Sequence, residues 1–397
     1  MASPRENCRI IVQSDWDQVL RERSESAWVS FRKKGQASVY GKINSEGLNT
    51  EGNPEVAATD GFHVNDISRR SLNVTYNDGN SPCFCRFAAP QLTFSTVHKA
   101  KKNVIGLDVS EGGLAVSSDS EGRLLLWTTH NGEVRRELKG HYLDVYCCRF
   151  FPSGVVVLSG GADTQLKIWS AETGQCAATL TGHKAGIQET AIVDRGRNVV
   201  SCSRDGTVKL WDVGQKTCLH TFDSIEGGLV NCCSLGMPEG LELSQGDHDS
   251  SQREVGTEGK LLLAACENHT FQGWSLHGRS KVFSVLCSDA VNCCSFLSST
   301  IVACGTQDSK IYCYDLRNTS TPLLHLKESR GAILSMLPYK QGLFITTNDG
   351  SCSYIDEEME IRLELTGSDC DPIYRVAYDG NYLYTSCRDG NIRRYLL

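Results

Sequence analysis

The 397-residue sequence has no apolar run near the roughly 20 residues that a membrane-spanning helix needs, and Leu261 to Cys266 is among its longest. A transmembrane protein is therefore not expected. The N-terminus carries Arg5, Glu6 and Arg9 with no apolar stretch of signal-peptide length, so the expected location is the cytoplasm, extending to the nucleus. Basic charge is scarce as well: 40 Lys and Arg against 47 Asp and Glu leave a net charge of −7. Phosphate neutralisation needs a concentrated basic stripe, so a nucleic-acid partner is not expected and a basic protein partner fits the sign better. No Gly-rich phosphate loop, metal-ligand spacing or nucleophile elbow is present, so neither an enzyme nor a bound cofactor or metal is expected.

Cysteine, by contrast, is abundant at 19 residues. An odd count without a secretion signal predicts free thiols rather than a disulfide framework. The pairs Cys147-Cys148, Cys232-Cys233 and Cys293-Cys294 are adjacent, so on strands their side chains point to opposite faces and cannot share a metal ion. Cys83 and Cys85 lack a second pair at zinc-finger spacing. Small buried apolar residues are the expected role. Hydrophobic content of 40% with 22% charge predicts a large folded core.

Trp127, Trp169 and Trp211 close three similar segments at intervals of 42 residues, a propeller-blade period. The register continues at Trp274, Tyr314, Ile355 and Tyr395, with intervals of 63, 40, 41 and 40 residues. Seven units are thus visible, and one contains an insertion. Within each unit, apolar alternation is broken by turn residues, which is a strand pattern and not a helical one.

Two units read Gly140-His141, Ser159, Asp163, Trp169 and Gly182-His183, Ser201, Asp205, Trp211. They resemble the WD repeat, and the resemblance covers Gln91 to Leu397. It implies a seven-bladed, all-β propeller in which His, Ser, Asp and the Trp indole form a buried hydrogen-bonded network. A Ser, His and Asp set could also form a hydrolase triad, but its repetition with a Trp in successive units favours structure. Other units depart from the pattern: Glu121 stands for the turn acid in the first, Asn268 in the fourth, Cys304 for the Ser in the fifth, and Ile355 for the Trp in the sixth. The chain ends just past the seventh anchor, so the last blade needs a fourth strand from elsewhere. Leu92-Thr93-Phe94 is expected to supply it and leave no open sheet edge.

Residues 1–90 read as a small N-terminal α+β domain. Ser14 is expected to cap a helix from Asp15 to Arg23, with Asp17 in capping-box position. Ala27 to Phe31 and Ser38 to Ile43 read as strands, Trp16 and Trp28 as packing residues, and 44–66 as a flexible linker. The insertion, residues 236–258 of the fourth blade, holds six acids and one Arg, and its composition predicts a solvated loop on the wider, bottom face.

The non-repeat N-terminal domain, the ring beginning near residue 91, and the strands Val145 to Phe150 and Val291 to Phe296 together resemble the proteasomal ATPase-associated factor family. That resemblance implies a chaperone that binds C-terminal domains of proteasomal ATPase subunits during regulatory-particle assembly and limits premature docking on the proteolytic core; the chain is expected to be a monomer. Candidate contacts are acids of the top face: Glu121, Asp144, Glu226, Asp289, Asp369 and Asp371, interrupted by Lys99, Lys101, Lys102, Arg204, Arg330 and Arg388. Their acidic bias would steer a basic partner. The alternative rests on Asp308 and Tyr314-Asp315-Leu316-Arg317, which resemble the box by which some WD-repeat proteins dock on cullin-RING ubiquitin ligases.

Overall fold

The computed structural model describes residues 8–33, 35–79, 82–98, 102–223, 228–243, 253–327 and 331–397. Seven four-stranded antiparallel blades surround an axis. Their inner strands are Val104–Val109, Val145–Phe150, Ile187–Val193, Val230–Gly236, Val291–Phe296, Ile333–Tyr339 and Ile373–Tyr378. Each lies against the next, and the seventh lies against the first. The anchors Trp127, Trp169, Trp211 and Tyr395 are fully buried between blades. Closure occurs as expected: Leu92–Phe94 pairs antiparallel with Ile392–Leu396 of the seventh blade, Thr93 opposite Arg393.

The N-terminal part consists of β1 (Cys8–Val12), the single-turn helix α1 (Trp16–Val19), β2 (Ser26–Lys33), β3 (Val39–Leu48), β4 (Pro54–Ala58), β5 (Phe62–Ile67), β6 (Ser71–Asn77) and β7 (Pro82–Ala88). Strands β1 to β4 form one sheet. Strands β5 to β7 form a second, and the two enclose a core of Ile10, Trp16, Val29, Ile43, Phe62, Val74 and Phe87. The expected linker over 44–66 is therefore a correction: its residues belong to β3, β4 and β5. Their Gly-, Asn- and acid-rich composition reflects strands with only one buried face. At Gly41 a Cβ would meet the Phe62 ring at 2.7 Å, so the glycine admits the ring into the core.

The capping expectation is also corrected. Asp15 occupies the N-cap, but its carboxylate accepts from Gln13 Nε2 at 2.8 Å and caps no helix N–H, the Ser14 hydroxyl lies 3.4 Å from Asp369 Oδ1, and Asp17 pairs with Arg70. The helix stops at Val19, short of Arg23. Trp16 packs as expected, but Trp28 faces outward and is 46% exposed.

This domain is fused to the ring. Strand β7 runs parallel to the outer strand of the sixth blade, Ile361–Leu365, with Glu364 opposite Phe87, which makes one seven-stranded sheet. Arg9 reaches from β1 to Glu364 at 2.9 Å with both side chains buried, and Trp16 Nε1 donates to Thr366 Oγ1 at 3.1 Å. A parallel strand addition satisfies the backbone of an edge that would otherwise be open.

The buried network closes in three blades, not two. His141 Nδ1 lies 2.8 Å from Asp163 Oδ2 and its Nε2 2.7 Å from Ser159 Oγ, which accepts Trp169 Nε1–H at 2.8 Å. His183, Asp205, Ser201 and Trp211 repeat this geometry. Because the indole can only donate, the serine oxygen accepts from it and donates its own O–H to Nε2, and Nδ1–H donates to the carboxylate. In the first blade His98 contacts Asp119 at 2.9 Å and Ser117 at 2.7 Å, and Trp127 donates to Ser117. The acid there is Asp119, two residues ahead of the position assigned to Glu121, which corrects the reading of a decayed unit. Where the set is lost, other partners appear: Gln272 Oε1 accepts Trp274 Nε1–H, and Tyr395 Oη donates to the Thr366 carbonyl. Buried polar groups that lose one partner require another.

Two outcomes follow from these contacts. Replacing Arg9 by Ala breaks a buried ion pair and is expected to cost about 3–5 kcal/mol in denaturant unfolding, and Arg9→Ala combined with Glu364→Gln should recover most of the loss. For the networks, burial pushes Asp119, Asp163 and Asp205 up, yet the histidine hydrogen bonds and backbone donors bring all three below the usual carboxylate range. A depressed folded value means stability that is present above the unfolded value of about 3.9 and lost as pH falls through the folded one. Asp163→Asn should therefore lower Tm at pH 7 and flatten its fall between pH 4 and 2; an unchanged acid slope would remove this carboxylate from the account.

Candidate protein-binding face

In the first three blades the histidine-bearing loop before the inner strand is tied to the turn between the second and third strands, so both sets of loops emerge at one end of the ring, the upper face. The other connections form the lower face. Glu121 sits exposed at an upper turn, paired with Lys102 at 2.8 Å. Asp144 is half-buried beside Tyr142 and Leu143, which are 82% and 55% exposed. Asp289 is half-buried, and its Oδ1 accepts the Ala290 N–H at 2.8 Å. Asp369 is exposed next to Ser14, and Asp371 lies 3.5 Å from Arg388. The upper face thus extends onto the N-terminal domain. Glu226, Lys99, Lys101 and Arg330 lie outside the described residues.

Apolar residues stand on this rim beside the charged ones that the sequence points to. Tyr142 and Leu143 follow His141, and Leu286, 77% exposed, precedes Cys287 at the equivalent place in the fifth blade. Their signal was two large apolar side chains in a loop where the third blade has Lys184 and Ala185. Exposed aromatic and aliphatic anchors surrounded by charge are the usual composition of a protein-binding surface.

The lower face carries the insertion. Residues 244–252, including Asp247 and Asp249, lie outside the described residues, but the following segment is fixed and not a free loop. Glu254 is buried against Arg279 at 3.1 Å and His277 at 3.5 Å. The Asn198 amide brackets the same stretch, donating to the Arg253 carbonyl at 3.1 Å and accepting the Val255 N–H at 2.8 Å. A buried carboxylate between two basic groups and a bracketed backbone explain why composition misled here.

The axis encloses a cavity of about 300 Å³ lined by inner-strand residues. All seven blades have a register shift between the inner and second strands. Such bulges re-aim side chains, and the third residues of six inner strands line the cavity: Cys147, Glu189, Cys232, Cys293, Ser335 and Arg375, with Gly106 at the same position in the first blade. Glu189 of the third blade meets Arg375 of the seventh at 2.5 Å, across the axis, and Arg149 of the second at 3.4 Å. Burial would raise the Glu189 carboxyl, but Arg375 and Arg149 hold it below its usual range. Asp108 goes the other way: burial raises it, with Arg149 opposing. The sequence signal was a charged residue where equivalent strands carry small or sulfur side chains. This cluster is a plug that joins opposite sides of the ring.

The WD domain, G-beta repeat family matches residues 132–170 and 174–212. Each match begins two residues before an outer strand and ends one residue past the next anchor Trp. The chain is 50% identical over 388 residues to Proteasomal ATPase-associated factor 1 of Gallus gallus, covering 97% of this chain and 98% of that protein. The Homo sapiens protein of that name is 48% identical with the same coverage. Probable proteasomal ATPase-associated factor 1 of Dictyostelium discoideum is 35% identical over 407 residues, 97% of this chain and 95% of the relative. Half of all positions shared across the N-terminal domain and the whole ring leave one assignment: the chain belongs to the proteasomal ATPase-associated factor 1 family.

Proposed function

We propose that this protein is a non-catalytic chaperone whose upper face binds the C-terminal domain of proteasomal ATPase subunits during regulatory-particle assembly, limiting early association with the core particle. It acts as a monomer in the cytoplasm and nucleus. The observation that carries the reading is the upper rim, where Asp144, Asp289, Asp369 and Asp371 are interleaved with the exposed Tyr142, Leu143 and Leu286. Acids raise the encounter rate with a basic surface, and apolar anchors slow dissociation. The relatives' names point to proteasomal ATPases as the partner. Binding and not catalysis is supported by the Ser, His and Asp sets, whose polar atoms are engaged with one another and with a buried indole. The cullin-ligase alternative gains no observation, since Arg317 of its candidate box is taken up by Asp315 through Nε and Nη2.

Capture of a purified ATPase C-terminal domain tests the reading. Reversing Asp144, Asp289 and Asp371 together to Lys should abolish capture, and each single reversal should weaken it modestly and more at low salt. Tyr142→Ser with Leu286→Ser should weaken it about tenfold or more with little salt dependence. Deleting 244–252, within the insertion whose described ends lie on the lower face, is the control and should leave capture intact. Loss of binding on that deletion, with the triple reversal silent, would place the interface on the other face.

A further inference from the structure

In the first three blades the upper loop is held to the second strand by a His-to-Ser hydrogen bond of 2.7, 2.7 and 2.8 Å. The equivalent residues of the fifth blade, four before the inner strand and ten before the anchor Tyr314, are Cys287 and Cys304. Their Sγ atoms are 3.8 Å apart. The loop does not depend on this pair for attachment. Ser288 Oγ donates to Asp308 Oδ2 at 2.8 Å, and Tyr312 Oη donates to Ser288 Oγ at 3.0 Å. Asp308 is also paired with Lys310 at 2.7 Å. Two thiols offer each other one weak hydrogen bond. What sulfur adds at these two positions is the capacity for a covalent bond in the place of the lost network.

We propose that Cys287 and Cys304 form a redox-active dithiol that closes to a disulfide by exchange with a small-molecule disulfide of the glutathione type, locking the fifth blade's rim loop to its second strand. Cys287 is 6% exposed, between Leu286 and Ser288, which are both exposed, whereas Cys304 is fully buried. Cys287 is therefore the attacking sulfur. Its thiolate displaces one small thiolate and leaves a mixed disulfide. Cys304 then gives up its proton and attacks Cys287 Sγ, and the second small thiol departs. Two protein thiols are oxidised, one small disulfide is reduced to two thiols, and the reverse exchange restores both protein thiols. The acid–base order agrees: the hydrogen bond from Cys304 holds the Cys287 thiol below its ordinary value against burial, while burial pushes Cys304 well up. The cross-link lies between Leu286, at the end of the fourth blade's outer strand, and Asp289 of the loop, so the disulfide adds a covalent restraint to this part of the rim, whatever partner binds there.

The test uses the reduced full-length protein and oxidised glutathione, followed by alkylation and mass spectrometry. Trypsin leaves both cysteines on one peptide, but cleavage before aspartate separates them at Asp289 and makes the link visible. The expected result is a linked pair of peptides that thiol reductant releases. The link should be absent in Cys287→Ser and in Cys304→Ser and retained in Cys293→Ser. The oxidised wild type should melt several degrees higher than the reduced protein, a shift missing from both variants. No linkage in folded protein, a stable mixed disulfide on Cys287 alone, or a link that survives both variants would overturn the proposal.

Discussion

One stretch of chain, residues 82–94, holds the architecture together by adding a strand to each of two neighbouring blades. Its first half runs parallel to the outer strand of the sixth blade, and its second half completes the seventh. Three residues, Ala89 to Gln91, separate them, and their neighbours hold the crossing: Gln91 N–H donates to the Arg394 carbonyl at 2.7 Å and Thr366 N–H to the Ala88 carbonyl at 2.9 Å. A propeller closed by its own N-terminal strand has no open edge between first and last blades. Here the same stretch also fixes the N-terminal domain, so ring closure and domain docking are one event. The Arg9–Glu364 pair and the Trp16–Thr366 bond are the side-chain part of it.

Closure gives a rigid ring, and the buried networks give it a face. Each His–Asp contact draws the loop before an inner strand onto the turn beside the next, so that loops of different blades stand at fixed positions around the rim. The plug of Glu189, Arg375 and Arg149 braces the third blade against the seventh, nearly opposite in the ring. Binding surfaces built on such supports change little when a partner arrives, which lowers the ordering cost of association.

Much of this was legible in the sequence. The Trp period supplied the blade count, and Leu92-Thr93-Phe94 was identifiable as the closing strand because it occupies the place of an outer strand in the repeat. What escaped notice was non-local. Arg9 and Glu364 are separated by almost the whole chain, and neither carries a periodic signal. Asp119 was missed because the first blade's acid is displaced by two residues while its hydrogen bonds remain the same. Residues 44–66 look like a linker by composition, yet half of each strand faces solvent and only residues such as Phe62 reach the core. The channel pair Glu189 and Arg375 could have been found by aligning the third residue of each inner strand, where charge is exceptional.

The central functional claim is that the upper face is the working surface, and hydrogen exchange of the full-length protein with and without an ATPase C-terminal domain addresses it most directly. The account predicts slowed exchange in residues 138–144, 286–290 and 366–372, extending to residues 13–16 of the N-terminal domain, with the lower turns at 194–197 and 276–280 unchanged. Protection confined to the lower turns, with the upper loops exchanging as in the free protein, would contradict it.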